Sequence, residues 1–219
     1  MDAADLPDEV PHPARPGLML RLVHHHAGDA PVNFRCDGCR EPGEGTRCAS
    51  ANLVLHTHCA LATPTLQHPL VRGTLQLRRH VASDGDLFCQ ACYGDVLGLH
   101  KTSKGEYPDL HPCCAKLPVS ITVRGGLTFE LREEVSRRCS SCRAMEGYWS
   151  PWCYRSTNEP RVYLHVKCIK EIMPVLFGGG GGGGVGEVLL VLMRVVAGLL
   201  LGDPTAPLLA VNLIFPSNW

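Results

Sequence analysis

Three observations predict a small α+β fold, stapled by metal rather than held by a large apolar core. A Cys-x2-Cys pair recurs at Cys36/Cys39, Cys89/Cys92 and Cys139/Cys142. A His-x2-Cys pair follows each of them, at His56/Cys59, His111/Cys114 and His165/Cys168. Core material is scarce, with only 6% aromatic residues, and units of about fifty residues with small cores need staples.

The pairs recur in register, and repetition at a fixed period of about fifty residues marks tandem units. The register uses all but three of the 12 cysteines, leaving Cys48, Cys113 and Cys153. Zinc takes four thiolate and imidazole ligands in a tetrahedron, and a site with four protein ligands is closed and structural. Two cysteines three positions apart can turn both sulfurs toward one ion. A histidine and a cysteine three apart share one side of a helical turn. The spacing therefore predicts three Cys3His sites and about three zinc ions, with metal binding inseparable from folding. Cys113, beside Cys114, is expected to be a bystander thiol.

The elements follow in chain order. Residues 1–22, opening "MDAADLPDEVPHPARPG", are acidic and proline-rich and are expected to be a disordered lead. They lack a basic segment followed by an apolar run, so they are not read as a secretory signal. An intracellular setting, cytoplasmic or nuclear, is expected, where thiols stay reduced and bind metal. Repeat boundaries are expected at 23–70, 71–118 and 119–177, each unit holding short β-hairpins and a short helix. "VSITVRGGLTFEL", Val119 to Leu131, alternates about Arg-Gly-Gly and predicts a hairpin. "YLHVKCIKEIM", Tyr163 to Met173, predicts the short helix of the third unit.

Residues 178–187 begin with an unbroken glycine run, Gly178 to Gly184, and read as a flexible linker. Residues 188–219 form an apolar tail. Its first segment, "VLLVLMRVVAGLLLG", is broken by Arg194 and falls short of the ~20 residues that span a bilayer. A helix docked on protein is the leading expectation for it, and membrane association the second.

At this point the residues resemble a known family. "FRCDGCREPGEGTRCASANLVLHTHCALATPTLQHPL", Phe34 to Leu70, is similar to the plant divergent C-one domain, also called the Cys/His/Pro-rich zinc finger. That family is a divergent relative of the diacylglycerol- and phorbol-ester-binding zinc domain of protein kinases. "LHPCCAKLP" and "YLHVKCIKEIM" resemble its later repeats, and the resemblance covers roughly 23–173. It implies two zinc ions per full repeat. In the first repeat a second site would draw on His24 or His26, Cys48 and His68. Its fourth ligand falls at Ala51, where His58 is the only stand-in. The second repeat lacks a middle cysteine pair, offering His100 with His68 or His80, and the third keeps Cys153 alone.

No P-loop, GxSxG or HExxH motif occurs, so no enzyme activity is expected. The 21 basic and 21 acidic residues balance, which gives no general attraction to nucleic acid. A cross-braced ubiquitin-ligase domain needs a Cys-x2-Cys directly after the His-x2-Cys, but the next cysteine after Cys59 is Cys89. The expected function is a zinc-binding, non-catalytic interaction or adaptor module with a protein partner. The resemblance implies a role in plant intracellular signalling or stress response. The alternative is a lipid-responsive membrane-recruitment module of the diacylglycerol-binding type, with the tail as the candidate membrane contact.

Overall fold

The computed structural model describes residues 7–25, 32–80, 86–103, 108–122, 128–133, 137–144, 151–158 and 161–170. The glycine linker, the apolar tail and His26 lie outside them. The described residues are β-rich with few helices, and none of those helices is long and apolar enough to cross a membrane.

The first unit contains β1 (Glu9–Pro11), β2 (Met19–Val23), β3 (Asn33–Arg35), β4 (Pro42–Glu44), β5 (Arg47–Ser50), β6 (Leu53–His56) and the single turn α1 (Thr57–Ala60). The second contains β7 (Thr65–Leu66), β8 (Leu75–Arg79), β9 (Leu99–Ser103) and β10 (Asp109–Leu110). The third contains β11 (Ser120–Thr122), β12 (Thr128–Arg132), β13 (Cys153–Ser156) and β14 (Tyr163–His165). Three four-stranded antiparallel sheets result, ordered β1-β2-β5-β6, β7-β8-β9-β10 and β11-β12-β13-β14. In each sheet the Cys-x2-Cys pair lies on the connection between the second and third strands. The His-x2-Cys pair begins at the end of the fourth strand or just beyond it.

Two expectations about boundaries are corrected. The segment expected to be a disordered lead supplies β1 and most of β2. The reason is alternation: Leu20 and Leu22 face inward while Met19 and Arg21 face solvent, the period of a half-buried strand. Val10 closes the same core from β1. The first unit accordingly ends near Ala60, not at residue 70, and the second begins at Thr65. The expected β11–β12 hairpin is present, pairing Ile121 with Phe129.

The expected helix over Tyr163 to Met173 is also corrected. Tyr163–His165 is a strand, and helix occupies only 166–170 among the described residues. His56 likewise ends β6, and His111 follows β10. Each histidine therefore sits at a strand end and each cysteine on the turn beyond it.

Two cores form. Val10, Leu20, Leu22 and Leu55 pack together in the first unit. Leu75, Leu110, Phe129, Trp152, Tyr154 and Leu164 form one core shared by the second and third. The Trp152 N–H donates to the Ala91 carbonyl across the units at 3.0 Å. The first unit docks through close backbone contact. The Leu99 N–H donates to the Gly38 carbonyl, and a Cβ on Gly98 would lie 2.1 Å from that oxygen, so only glycine fits there.

Candidate metal centres

Each Cys-x2-Cys pair is presented by the same hydrogen-bonded loop. The N–H of the first cysteine donates to the carbonyl five residues on: Cys36 to Glu41, Cys89 to Gly94, Cys139 to Ala144. The next residue ties back to the fourth strand or its flank: Asp37 to Val54, Gln90 to Asp109, Ser140 to Tyr163. The loop closes with a residue in the left-handed region, Arg40 (φ 67°), Tyr93 (φ 57°) and Arg143 (φ 62°). Side chains rarely adopt this conformation, and glycine is its usual occupant. Because none of the three positions is glycine, the sequence carries no signal for it.

These loops bring the spacing-derived residues together. Cys36, Cys39, His56 and Cys59 form one cluster. Cys89, Cys92, His111 and Cys114 form the second, and Cys139, Cys142, His165 and Cys168 the third. In each, the four donor atoms lie within 4.8 Å of one another. The Cys139 and Cys168 sulfurs are 3.8 Å apart. Imidazole Nδ1 lies 3.4 Å from Cys39 Sγ in the first cluster, 3.3 Å from Cys92 Sγ in the second and 3.5 Å from Cys142 Sγ in the third. A tetrahedron with metal–sulfur bonds of about 2.3 Å and metal–nitrogen bonds of about 2.0 Å spaces its ligands by roughly 3.5–3.8 Å. The donor sets fit a tetrahedral metal ion of that size.

In the first two clusters the far side of the ring fixes its tautomer. His56 Nε2–H donates to the Pro42 carbonyl and His111 Nε2–H to the Asp95 carbonyl, both at 3.0 Å. Both acceptors lie three residues beyond the second cysteine of the pair, and both leave Nδ1 free to bind metal. The position three residues beyond Cys142 lies outside the described residues. A Cβ on Gly43 would lie 2.4 Å from His56 Nε2, so the first ring packs against bare backbone.

Negative charge collects on the first cysteine of each cluster. Hydrogen bonds from the Cys39 and Cys59 thiols hold Cys36 far below the usual thiol range. Burial alone would raise Cys89, but bonds from Cys114 and Cys92 outweigh it and hold it well below. The Cys168 thiol brings Cys139 down to about 3. His111 is buried, which opposes its protonation, yet the Cys89 thiolate raises its pKa well above the ordinary value. Each cluster is thus an anionic nest suited to a cation.

The second cluster has outer partners that spacing could not reveal. The Lys170 ammonium, from the third unit, donates to Cys92 Sγ at 3.4 Å and pairs with the Glu41 carboxylate of the first unit. The other Glu41 oxygen lies 3.6 Å from His111 Nε2. Burial pushes Lys170 down to about 8.

The candidate second site of the first repeat does not assemble among the described residues. His68 belongs to the second unit. Its Nε2–H donates to the Leu117 carbonyl, its Nδ1 accepts from the Leu70 N–H, and its ring stacks on Trp152 at 4.9 Å. Cys48 is a core thiol in β5, opposite Leu22 and Leu55, and burial pushes it up to about 11. Ala51 lies in the exposed β5–β6 turn, and His24 follows β2. His58 is buried outside the four-donor cluster, with its ring stacked on His56 at 4.6 Å. His100 donates from Nδ1 to the Gly98 carbonyl. Cys113 lies beside the second cluster, 3.9 Å from Cys114 Sγ, and is not among its four donors. No family model, curated protein or solved structure matches the chain.

Proposed function

We propose that the protein is a non-catalytic interaction module stapled by three zinc ions, one in each Cys3His cluster. The observation that carries the reading is the threefold recurrence of four convergent donors on one loop template. Bound zinc supplies a cross-link between the Cys-x2-Cys loop and the end of the fourth strand. The chain's own residues do the rest: backbone carbonyls orient the His56 and His111 imidazoles, and burial keeps water from most of the donors. A closed four-ligand site leaves no position for a substrate, which supports structure rather than catalysis.

The reading extends to membership of the divergent C-one family and to signalling or stress response, supported by the motif resemblance. A protein partner is favoured by the cleft of about 530 Å³ where the first two units meet. Phe34, Pro42 and Leu97 supply apolar wall, and Arg35, Arg40 and Asp95 supply charge of both signs. That mixture suits an extended peptide better than a lipid tail. Capture of partners by the purified zinc-loaded protein, repeated with Leu97→Asp, tests this. Partners that bind equally to both forms would remove the cleft from the account.

The lipid-responsive alternative rests on Phe88 and Leu97, which are 50% and 52% exposed. Sedimentation with liposomes containing or lacking diacylglycerol, with and without residues 178–219, separates headgroup recognition from tail insertion. No pelleting in any of the four mixtures would eliminate it.

A further inference from the structure

We propose that Cys142 is a covalent modification site for soft electrophiles of the α,β-unsaturated carbonyl class, through which the third metal centre opens before the other two. The inference rests on the zinc reading above. Of the twelve cysteines, Cys142 alone is exposed. Its counterparts Cys39 and Cys92 are 1% and 3% exposed. The thiols outside the clusters, Cys48, Cys113 and Cys153, are buried as well. The one sulfur that a reagent can reach is therefore a metal ligand.

The surroundings of that sulfur also differ. Cys92 accepts a hydrogen bond from the Lys170 ammonium, which draws electron density from a thiolate and blocks approach. Cys142 meets His165 Nδ1 and the Cys168 thiol of its own cluster. No ammonium or peptide N–H reaches it among the described residues. A thiolate is the nucleophilic form of cysteine, and metal binding keeps a ligand in that form at neutral pH. An exposed ligand thiolate thus combines access with charge.

The step balances without an oxidant. Cys142 Sγ attacks the β-carbon of the activated alkene and an S–C bond forms. The π pair of the alkene moves through to the carbonyl oxygen, and water protonates the resulting enolate. The product is a neutral thioether, a much weaker donor than a thiolate. The centre is left with two thiolates and one imidazole, too few to hold the ion against a chelator. Cys168 then loses its anchor, and Lys170 stands two residues further along the same helical turn. Release of that turn withdraws the ammonium from Cys92 and from Glu41, so damage at the third centre passes to the second.

The test uses the full-length, zinc-loaded chain, with its zinc content measured first. One equivalent of N-ethylmaleimide is added with a chromogenic zinc chelator, and adducts are located by peptide mass spectrometry. The first adduct is expected on Cys142, about tenfold faster than on any other cysteine, with one zinc released per adduct. Cys142→His supplies a metal donor in the same place without the thiolate nucleophile. It should keep the zinc content while losing the fast phase. A first adduct on any other cysteine, or a fast phase that survives in Cys142→His, overturns the proposal. If that variant sheds its zinc, the adduct map of the native chain decides alone. A starting zinc content near zero overturns the zinc reading and this inference together. A full zinc content with a misplaced adduct overturns the inference only.

Discussion

The second and third Cys3His clusters share one loop template and differ in what surrounds it. Cys89, Cys92, His111 and Cys114 are all buried, and Glu41 and Lys170 reach them from the other two units. The third centre leaves Cys142 exposed. The contrast separates two layers of control. Local sequence builds four donors wherever the spacing recurs. Tertiary packing decides how well each set is shielded, and so how tightly it should hold metal.

The sharpest way to break the comparison is to remove a donor from the shielded centre. His111→Ala should lower the zinc content by about one ion and unfold the second unit. A structural zinc supplies about 10 kcal/mol of apparent folding energy, more than a small domain can lose. Hydrogen exchange should then extend into the third unit, which shares its core. Cys113→Ala, one residue from a ligand, should keep all three ions and cost about 1 kcal/mol. Equal damage from the two would mean that Cys113 is a ligand in place of Cys114.

The next effect concerns the outer shell. Lys170→Met should leave the zinc content unchanged in the absence of competitor and weaken the second centre by about 10-fold or more against a chelator. An unaltered chelator titration would show that the ammonium at Cys92 has no bearing on metal affinity.

A smaller effect belongs to Lys101. Its side chain is 2% exposed, its ammonium donates to the Thr63 carbonyl, and burial pushes its pKa down to about 8 from an ordinary 10.5. The unfolded chain therefore holds a proton that the folded one has lost between those values. Stability should rise with pH from about 8 to 10. Lys101→Met should flatten that rise in denaturant melts of the zinc-loaded protein, and an unchanged slope would refute the assignment.

The smallest effect tests the loop template itself. Arg143 holds φ 62° without being glycine, so Arg143→Gly should stabilise the third unit by about 0.5–1 kcal/mol. A loss of stability would mean that the arginine side chain outweighs its backbone strain.

The three Cys3His clusters were legible because coordination would impose spacing on sequence, and each unit repeats the same spacing. The hairpin at Val119 to Leu131 was legible through alternation about Arg-Gly-Gly. The unit boundaries were not. Pro11 and the acidic flank hid β1, and the alternation of Leu20 and Leu22 was too short to stand out. The misplaced boundary also put His68 in the wrong unit, which is why a second site with Cys48 looked plausible from spacing. Its ring is committed to Leu117, Leu70 and Trp152, contacts made across units. Glu41 and Lys170 were invisible for a similar reason. They stand 129 positions apart and meet only when three units pack. The left-handed positions Arg40, Tyr93 and Arg143 carry no residue-type signal at all.

In the proposed function the three Cys3His clusters each hold one zinc, and the fold depends on it. Elemental analysis of the purified, reduced chain, paired with circular dichroism before and after chelation, tests it most directly. About three zinc ions per chain are expected, with loss of the β signal when they are stripped. A folded, reduced chain with a zinc content near zero would contradict it.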